Sequence, residues 1–358
     1  MFRDSRISRR GLVNSGAKWR NDRETQAPGL LLALCCFTFA CEQPSDVTSP
    51  VDAAANAVAE RKQHDHTFEI VLKDTALSND FSEGLAFSTS GDLYVGFGFT
   101  GEIVKVSKTG SVSTFTRIDP TFNSITLGLA FDRHGNLYVA VWGFDESFNG
   151  IWRVTPDGHA SLYAAMPLGT IPNFIVFDER GDLLVSESVE GAVWRVPREG
   201  GKAVLWAADD LLAPSLGGFG ANGMARQGND LFVLNYDRGR IVQIPILPNG
   251  EAGTPSLFLE DPRLVGADGM AFDIKGNIYI GITVPSSLLR VSQTRAIETL
   301  VTFPEDLPFA TNVAFGKGTD TKTAYLTIGD IGNAANVVKV DIGIPGLPLL
   351  GEASRGED

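Results

Sequence analysis

The chain has 358 residues, of which 43% are hydrophobic and 39 are glycine, so it can form a core and should contain many turns rather than long helices. Its formal net charge is −13, and the first 41 residues hold seven basic and three acidic side chains, which leaves −17 for the remainder. The strongly acidic remainder of the chain repels phosphate backbones, which argues against nucleic acid as a partner and favours cations or neutral small molecules as ligands.

Residues 1–41 are typical of an export leader. A basic segment precedes the apolar run Pro28–Ala40, which is shorter than the roughly twenty residues that span a bilayer. Cys41 stands where a bacterial lipoprotein would be cleaved and lipidated, and no cysteine follows it, so the body has neither disulfides nor thiolate metal sites. We expect an exported protein that is periplasmic, secreted or attached to a bacterial membrane through a lipid on Cys41. Residues 42–65 are predicted to be a polar linker.

From His66 onwards the sequence consists of short β-rich segments. One isolated strand, HTFEIVLKD, is followed by six copies of a strand–turn–strand phrase, such as SEGLAFSTSGDLYVG from Ser82 and GADGMAFDIKGNIYIG from Gly266. The copies recur every 44–49 residues, and a third strand follows in each copy, with a fourth in all but the last. Four short strands per repeat of this length predict a β-propeller.

The predicted fold is therefore all-β, with a six-bladed β-propeller over residues 66–343. The last copy lacks a fourth strand, and the isolated N-terminal strand is available to complete that blade and to close the ring without exposed edges. Residues 344–358 are rich in proline and glycine and are predicted to form a C-terminal tail that lies on the surface or is disordered.

In a propeller the first strand of each blade lines the central tunnel, so one residue per copy should form a ring at the tunnel mouth. These residues are Glu83, Leu127, Asn173, Asn222, Asp268 and Asn312. Asparagine and aspartate also cap turns, which is the alternative explanation for any one of them. Two carboxylates across a narrow tunnel repel each other, however, and ligation by oxygen alone favours a divalent cation such as Ca²⁺.

The blade order and four short motifs resemble the gluconolactonase/regucalcin/luciferin-regenerating-enzyme family. The motifs are SEG at Ser82, NG at Asn222, DG at Asp268 and TNVAFG at Thr311. The resemblance implies that Glu83, Asn222 and Asp268 bind a catalytic metal, usually Ca²⁺, and that Asn173 binds metal or substrate. It also implies that Asp268 is the general base or nucleophile.

Blade 3 departs from that family's pattern. Gluconolactonases tend to have an arginine two residues before the Asn173 position and an aspartate directly after it, whereas this chain has Ile171 and Phe174. A sugar lactone is therefore a poorer candidate substrate than a more hydrophobic lactone, ester or phosphotriester.

The predicted function is metal-dependent hydrolysis of such a small molecule, with the cation polarising an oxygen and Asp268 activating water or attacking directly. The predicted substrate contacts are Asn173, Asn312, Phe174, Trp142 and Asn235. Two alternatives remain open, a non-enzymatic ligand-binding or surface propeller with a structural calcium, and a metal-dependent lyase. The lyase would need a general base near the metal, and no histidine falls at the mouth.

Overall fold

The computed structural model describes residues 66–74, 80–118, 123–329 and 335–349. The predicted leader with Cys41, the linker 42–65 and the tail beyond residue 349 lie outside these ranges. Six antiparallel four-stranded sheets account for 24 strands, together with two short 3₁₀ helices at Pro262–Leu264 and Gly318–Asp320. The all-β, six-bladed propeller predicted from the repeats is confirmed. Within the described ranges, no helix has the length and apolar character needed to cross a bilayer.

Each of blades 1 to 5 consists of four consecutive strands. Blade 1 comprises β2 (Ser82–Phe87), β3 (Leu93–Phe97), β4 (Glu102–Val106) and β5 (Val112–Arg117). Blade 2 comprises β6 (Ser124–Phe131), β7 (Leu137–Gly143), β8 (Gly150–Val154) and β9 (Ala160–Ala165). Blade 3 comprises β10 (Pro172–Phe177), β11 (Leu183–Glu187), β12 (Ala192–Val196) and β13 (Val204–Ala208). Blade 4 comprises β14 (Ala221–Gln227), β15 (Asp230–Asn235), β16 (Arg240–Pro245) and β17 (Ser256–Glu260). Blade 5 comprises β18 (Ala267–Phe272), β19 (Ile278–Ile282), β20 (Ser287–Val291) and β21 (Ile297–Thr302).

Blade 6 is completed by the N-terminal strand, as predicted. It combines β22 (Ala310–Phe315), β23 (Thr323–Ile328) and β24 (Ala335–Asp341) with β1 (Phe68–Asp74), in the order β1-β24-β23-β22. Strand β1 pairs antiparallel with β24, and Phe68 stands opposite Val340. The ring is thus closed by hydrogen bonds between the two ends of the domain.

The turn after each innermost strand explains the polar part of the repeated phrase. In blade 5, Asp273 Oδ1 accepts hydrogen bonds from the backbone N–H groups of Lys275 and Asn277, and Oδ2 accepts from the Tyr279 hydroxyl. Gly276 completes this turn with a φ of 77°, a conformation that favours glycine. Equivalent aspartates at 132 and 178 hold the corresponding turns of blades 2 and 3.

Aromatic side chains join neighbouring blades at one recurrent position. The last inward residue of an innermost strand stacks edge-to-face on an aromatic ring of the preceding blade's second strand. Five pairs do so, namely Phe87–Tyr325, Phe131–Tyr94, Phe177–Tyr138, Phe272–Phe232 and Phe315–Tyr279. Such contacts contribute about 0.5–1.5 kcal/mol each beyond the burial of their area. Blade 4 is the exception, because Arg226 stands at this position and the preceding blade supplies Leu184.

Every innermost strand also contains a β-bulge near its start. The register shifts between the residues that flank positions 83–84, 127–128, 173–174, 222–223, 268–269 and 311–312. In the first five blades the first bulged residue is the one predicted for the ring. In blade 6 it is Thr311, so Asn312 lies one position deeper than predicted. The spacing agrees with this register, because Phe315 follows Thr311 by four positions, as Phe272 follows Asp268, but follows Asn312 by only three.

The start of the C-terminal tail packs under the propeller, on the face where the innermost strands end. Ile274 N–H donates to the carbonyl of Pro345, and Leu347 N–H donates to the carbonyl of Phe272 at 2.8 Å. This face is called the lower face below, and the face where the innermost strands begin is called the upper face.

Candidate metal centre at the upper mouth of the tunnel

The bulges bring one residue of each blade into a tightly packed ring. Four of the six bulges have glycine as their second residue, and a Cβ atom there would collide with the next blade. At Gly84 it would lie 2.2 Å from the carbonyl oxygen of Leu127, and at Gly223 it would lie 1.9 Å from that of Asp268. Real Cβ contacts are not this short, so the glycines are what allows the ring residues to approach one another.

Glu83 and Asp268 are the two acids of this ring, and their environments oppose ionisation. Burial and repulsion by Asp268 raise the pKa of Glu83 well above its ordinary value. A hydrogen bond from Thr311 acts in the opposite direction and compensates for part of this rise. Burial also raises the pKa of Asp268, against the opposing effect of a hydrogen bond from Asn222. Without a cation, the two carboxyl groups are unfavourable as a pair of anions. A bound cation would stabilise both of them in the ionised form.

The donor set of the ring fits a hard divalent cation. Asn222 is 4% exposed, and its buried Oδ1 has no hydrogen-bond partner, although its amide group bonds to Asp268. A buried acceptor without a partner costs about 1–3 kcal/mol of stability, and binding a metal ion through that oxygen would recover this cost. In the part of the chain that the structure describes, no three His, Cys, Asp or Glu side chains lie close enough together to hold a metal ion by themselves. Amide and hydroxyl oxygens would therefore have to complete the coordination of a bound cation, which Ca²⁺ accepts and Zn²⁺ does not favour.

Threonines at the junction of blades 6 and 1 hold Glu83 in place, and the sequence analysis did not identify them. Thr327 donates its hydroxyl proton to the backbone carbonyl of Glu83 at 2.6 Å and accepts from the N–H of Asn312 at 3.0 Å. Thr311 bonds to Thr327 at 2.9 Å and also reaches Glu83. The signal for Thr311 was the TNVAFG motif itself, in which the threonine rather than the asparagine occupies the ring position, whereas Thr327 lies outside that motif.

Asn173 lies in the ring next to the blade 3–blade 4 junction. Its amide donates to the Ser188 hydroxyl at 3.3 Å, and Ser188 donates to the carbonyl of Ala221, directly before Asn222. Two predicted ligands are thus connected through one serine. The structure places Asn173, Asn222, Asp268 and Glu83 in the same ring, while their coordination of a metal stays a prediction.

The predicted substrate contacts fall in different places. Trp142 is half-buried at the end of β7 and packs edge-to-face on Phe144. Phe174 and Asn312, the second bulged residues of blades 3 and 6, line the tunnel below the ring instead of its upper mouth. The predicted substrate contact at Phe174 therefore lies towards the lower face rather than at the upper mouth.

Asn235 anchors a loop with its own hydrogen bonds. Its amide donates to the carbonyls of Leu211 and Ala213 at 3.0 and 2.9 Å, and its oxygen accepts from the N–H of Arg238. Because both donors are used within the protein, this bonding favours a structural role for Asn235 over contact with substrate.

Buried acids have the same anchoring function elsewhere on the upper face. The Glu187 carboxylate accepts from the N–H groups of Ile171, Val189 and Glu190, and Asp80 accepts from those of Phe81, Phe99 and Thr100. These contacts order the loops around the mouth.

Comparison with known proteins supports the family resemblance and the fold. Residues 220–329 match the family model described as the SMP-30/Gluconolactonase/LRE-like region. That segment contains Asn222, Asp268 and Thr311, but not Glu83 or Asn173. No curated protein matches the chain in sequence.

Solved structures with a similar fold include proteins of several activities. A gluconolactonase from Xanthomonas campestris is 17% identical, with a TM-score of 0.60 over 86% of this chain and 96% of the other. A calcium-binding protein, regucalcin, from Agrobacterium tumefaciens is 14% identical, with a TM-score of 0.62 over 80% of this chain and 97% of the other. A virginiamycin B lyase from Staphylococcus aureus is 14% identical, with a TM-score of 0.54 over 77% of this chain and 99% of the other.

At these identities the neighbours establish the fold, and the fold is common to lactonases and lyases. The resemblance predicted from the sequence is confirmed: blades 4 and 5 and the first two strands of blade 6 carry the SMP-30/gluconolactonase/LRE-like region, within a propeller of the same six-bladed fold as gluconolactonase and regucalcin.

Proposed function

We propose that this protein is a divalent-metal-dependent hydrolase, with Ca²⁺ as the cation and a neutral, hydrophobic lactone, ester or phosphotriester as the substrate. The observation that supports this most is the pairing of the half-buried Glu83 with the buried Asp268, beside the unpartnered Oδ1 of Asn222. A gluconolactonase and a calcium-binding regucalcin of the same fold agree with the proposal.

The proposed roles follow from the surroundings of each residue. A bound divalent cation would polarise the carbonyl or phosphoryl oxygen of the substrate. Glu83, Asn222, Asp268 and Asn173 would hold it. Asp268 accepts a hydrogen bond from Asn222, and its carboxylate beside the cation would take a proton from the attacking water. Direct attack by the same carboxylate is the covalent version of this role.

The preference for a neutral and apolar substrate is supported by blade 3. Ile171 is buried, and its N–H donates to Glu187, so nothing at that position reaches a sugar acid. None of the six ring residues is cationic. Trp142 and Phe144 offer an aromatic surface on the blade 2 loop.

The test combines a metal measurement with a substrate screen. Purified protein is stripped with a chelator, titrated with Ca²⁺ and assayed on a hydrophobic γ-lactone, an aryl ester and a phosphotriester. We expect chelator-sensitive turnover of at least one substrate class, and its loss in Asp268→Asn and Glu83→Gln variants that keep their β-sheet circular dichroism. Full activity in either folded variant would refute the assignment.

A non-enzymatic propeller with a structural calcium is the second candidate. It is favoured by the absence of the arginine and aspartate that gluconolactonases tend to have in blade 3. Calcium binding without chelator-sensitive turnover of any of the three substrate classes would select it.

A further inference from the structure

A second cavity lies in the lower half of the tunnel, apart from the candidate metal centre. Its volume is about 440 Å³, within the range of roughly 300–1,000 Å³ found for small-molecule sites. Its walls are the last residues of the six innermost strands, and Leu347, Pro348 and Leu349 of the tail form part of its floor. None of Glu83, Asn222 and Asp268 lines it. This space is called the lower chamber.

The collar of the lower chamber is phenylalanine in five blades and arginine in one. Phe87, Phe131, Phe177, Phe272 and Phe315 occupy the recurrent position described above, and all of them line the chamber. Arg226 occupies it in blade 4 and also lines the chamber. Because the other five blades show that phenylalanine satisfies the packing here, the fold alone does not require a cation at this position.

Arg226 is a buried cation with incomplete compensation. Its side chain is 8% exposed, and its one carboxylate partner, Glu179, is 67% exposed and 3.4 Å away. The guanidinium also donates to the carbonyls of Phe177 at 3.3 Å and Gly228 at 2.7 Å, while its buried Nε–H has no partner. A buried charge without a close counterion is costly, and an anionic ligand would offset that cost.

The charge of the lower chamber is opposite to that of the protein. Its ionisable lining consists of Arg226, Lys317 and Glu179 among the described residues, so two cations face one exposed acid in a chain of net charge −13. Burial lowers the pKa of Lys317 to about 8, which leaves it mostly protonated at neutral pH. An anion entering from the lower face is therefore attracted locally although the molecule as a whole repels it.

The upper end of the lower chamber offers a hydrogen-bond acceptor. Phe174 and Asn312 replace the glycines of the other bulges in two opposite blades, and both project into the chamber. Asn312 is 5% exposed, and its buried Oδ1 has no hydrogen-bond partner. Most of the remaining lining of the chamber is Phe, Ala, Leu, Val and Met.

We propose that the lower chamber binds an apolar carboxylate that also carries a hydroxyl or amide N–H group. The carboxylate contacts Arg226, the hydrocarbon body contacts the phenylalanine collar, and the distal donor contacts Asn312. The site does not depend on the proposed hydrolase activity, although hydroxy acids released from hydrophobic lactones belong to this ligand class.

The probes are 10-hydroxydecanoate, which has all three features, and 1,10-decanediol, which has the same chain without the charge. Both are titrated below their aggregation concentrations into the calcium-loaded protein by calorimetry. The variant Arg226→Phe installs the residue that the other five blades use, and Arg226→Lys keeps the charge. Asp268→Asn serves as the control that alters the upper site only.

We expect the wild type to bind 10-hydroxydecanoate, with a loss of tenfold or more in Arg226→Phe, partial recovery in Arg226→Lys and a change below threefold for the diol. Asp268→Asn should bind the carboxylate like the wild type even if it abolishes hydrolysis, which separates this proposal from the proposed function. If Arg226→Phe does not fold, Arg226→Met gives the same comparison. Absence of 10-hydroxydecanoate binding to the wild type, or equal binding to the variants without a cation, would overturn the proposal.

Discussion

The replacement Gly223→Ala tests the close packing of the ring. A Cβ atom at position 223 would lie 1.9 Å from the carbonyl oxygen of Asp268, whereas ordinary contacts begin at 3.4 Å. Blades 4 and 5 would therefore have to separate by about 1.5 Å at the ring. Overpacking of this kind typically costs about 1–3 kcal/mol of unfolding free energy, and a misplacement of about 1 Å at a catalytic group can cost roughly 100-fold in rate.

We expect Gly223→Ala to fold with a lower free energy of unfolding in urea, a smaller calcium-induced rise in Tm and about 100-fold slower turnover of any substrate the screen identifies. Gly329→Ala is the matched control, since a Cβ there would meet Thr311 Cγ2 at 3.5 Å, an ordinary contact. Wild-type stability and calcium response in Gly223→Ala would show that the blades are not packed as closely as described, and would refute the reasoning.

Three further predictions concern the acids of the ring and Glu187. The pKa values of Glu83 and Asp268 are raised in the metal-free fold, so above about pH 4 the folded protein holds more protons than the unfolded chain. Its free energy of unfolding should therefore fall as the pH rises through the folded pKa values. Urea denaturation between pH 5 and 8 checks this, and we expect Ca²⁺ to remove the fall. Glu83→Gln should stabilise the metal-free protein at pH 8 and abolish the calcium-induced rise in Tm; a less stable metal-free variant would contradict the repulsion. Glu187→Ala leaves three backbone N–H groups without their acceptor and should cost about 2–3 kcal/mol, against about 0.5 kcal/mol or less for the exposed Glu190→Ala, both measured by urea denaturation.

The propeller was predictable because its information is local and repeated. Each copy contains two apolar strands around a turn whose aspartate and glycine have fixed functions, as Asp273 and Gly276 show. The last copy lacks a fourth strand, and the strand at residues 66–74 belongs to no copy. Pairing these two is the one strand arrangement that leaves no blade with an unpaired edge. The same repetition identified the ring positions of five blades without any knowledge of contacts.

The exceptions depend on pairing between strands, which the sequence does not display. In blade 6, TNVAFG can be aligned on its asparagine or its phenylalanine, and the register shows that Thr311 takes the ring position. The side chain of Phe174 could not be assigned to the upper or lower side of the ring, because that depends on the bulge. Asn235 was a candidate for substrate contact, and only its hydrogen bonds show that it anchors a loop.

The pairing of β1 with β24 also has a consequence for how the chain folds. Phe68 and Val340 are separated by 272 positions in sequence, so the strand made first has no partner until nearly the whole domain is available. Loop-closure entropy disfavours this contact until the intervening blades are assembled, which makes ring closure a late event. Until then β1 and the outer edge of β24 are both free to pair with other chains. A chain interrupted after blade 5 would therefore present an unpaired strand, and aggregation rather than partial function is the expected fate of truncated copies.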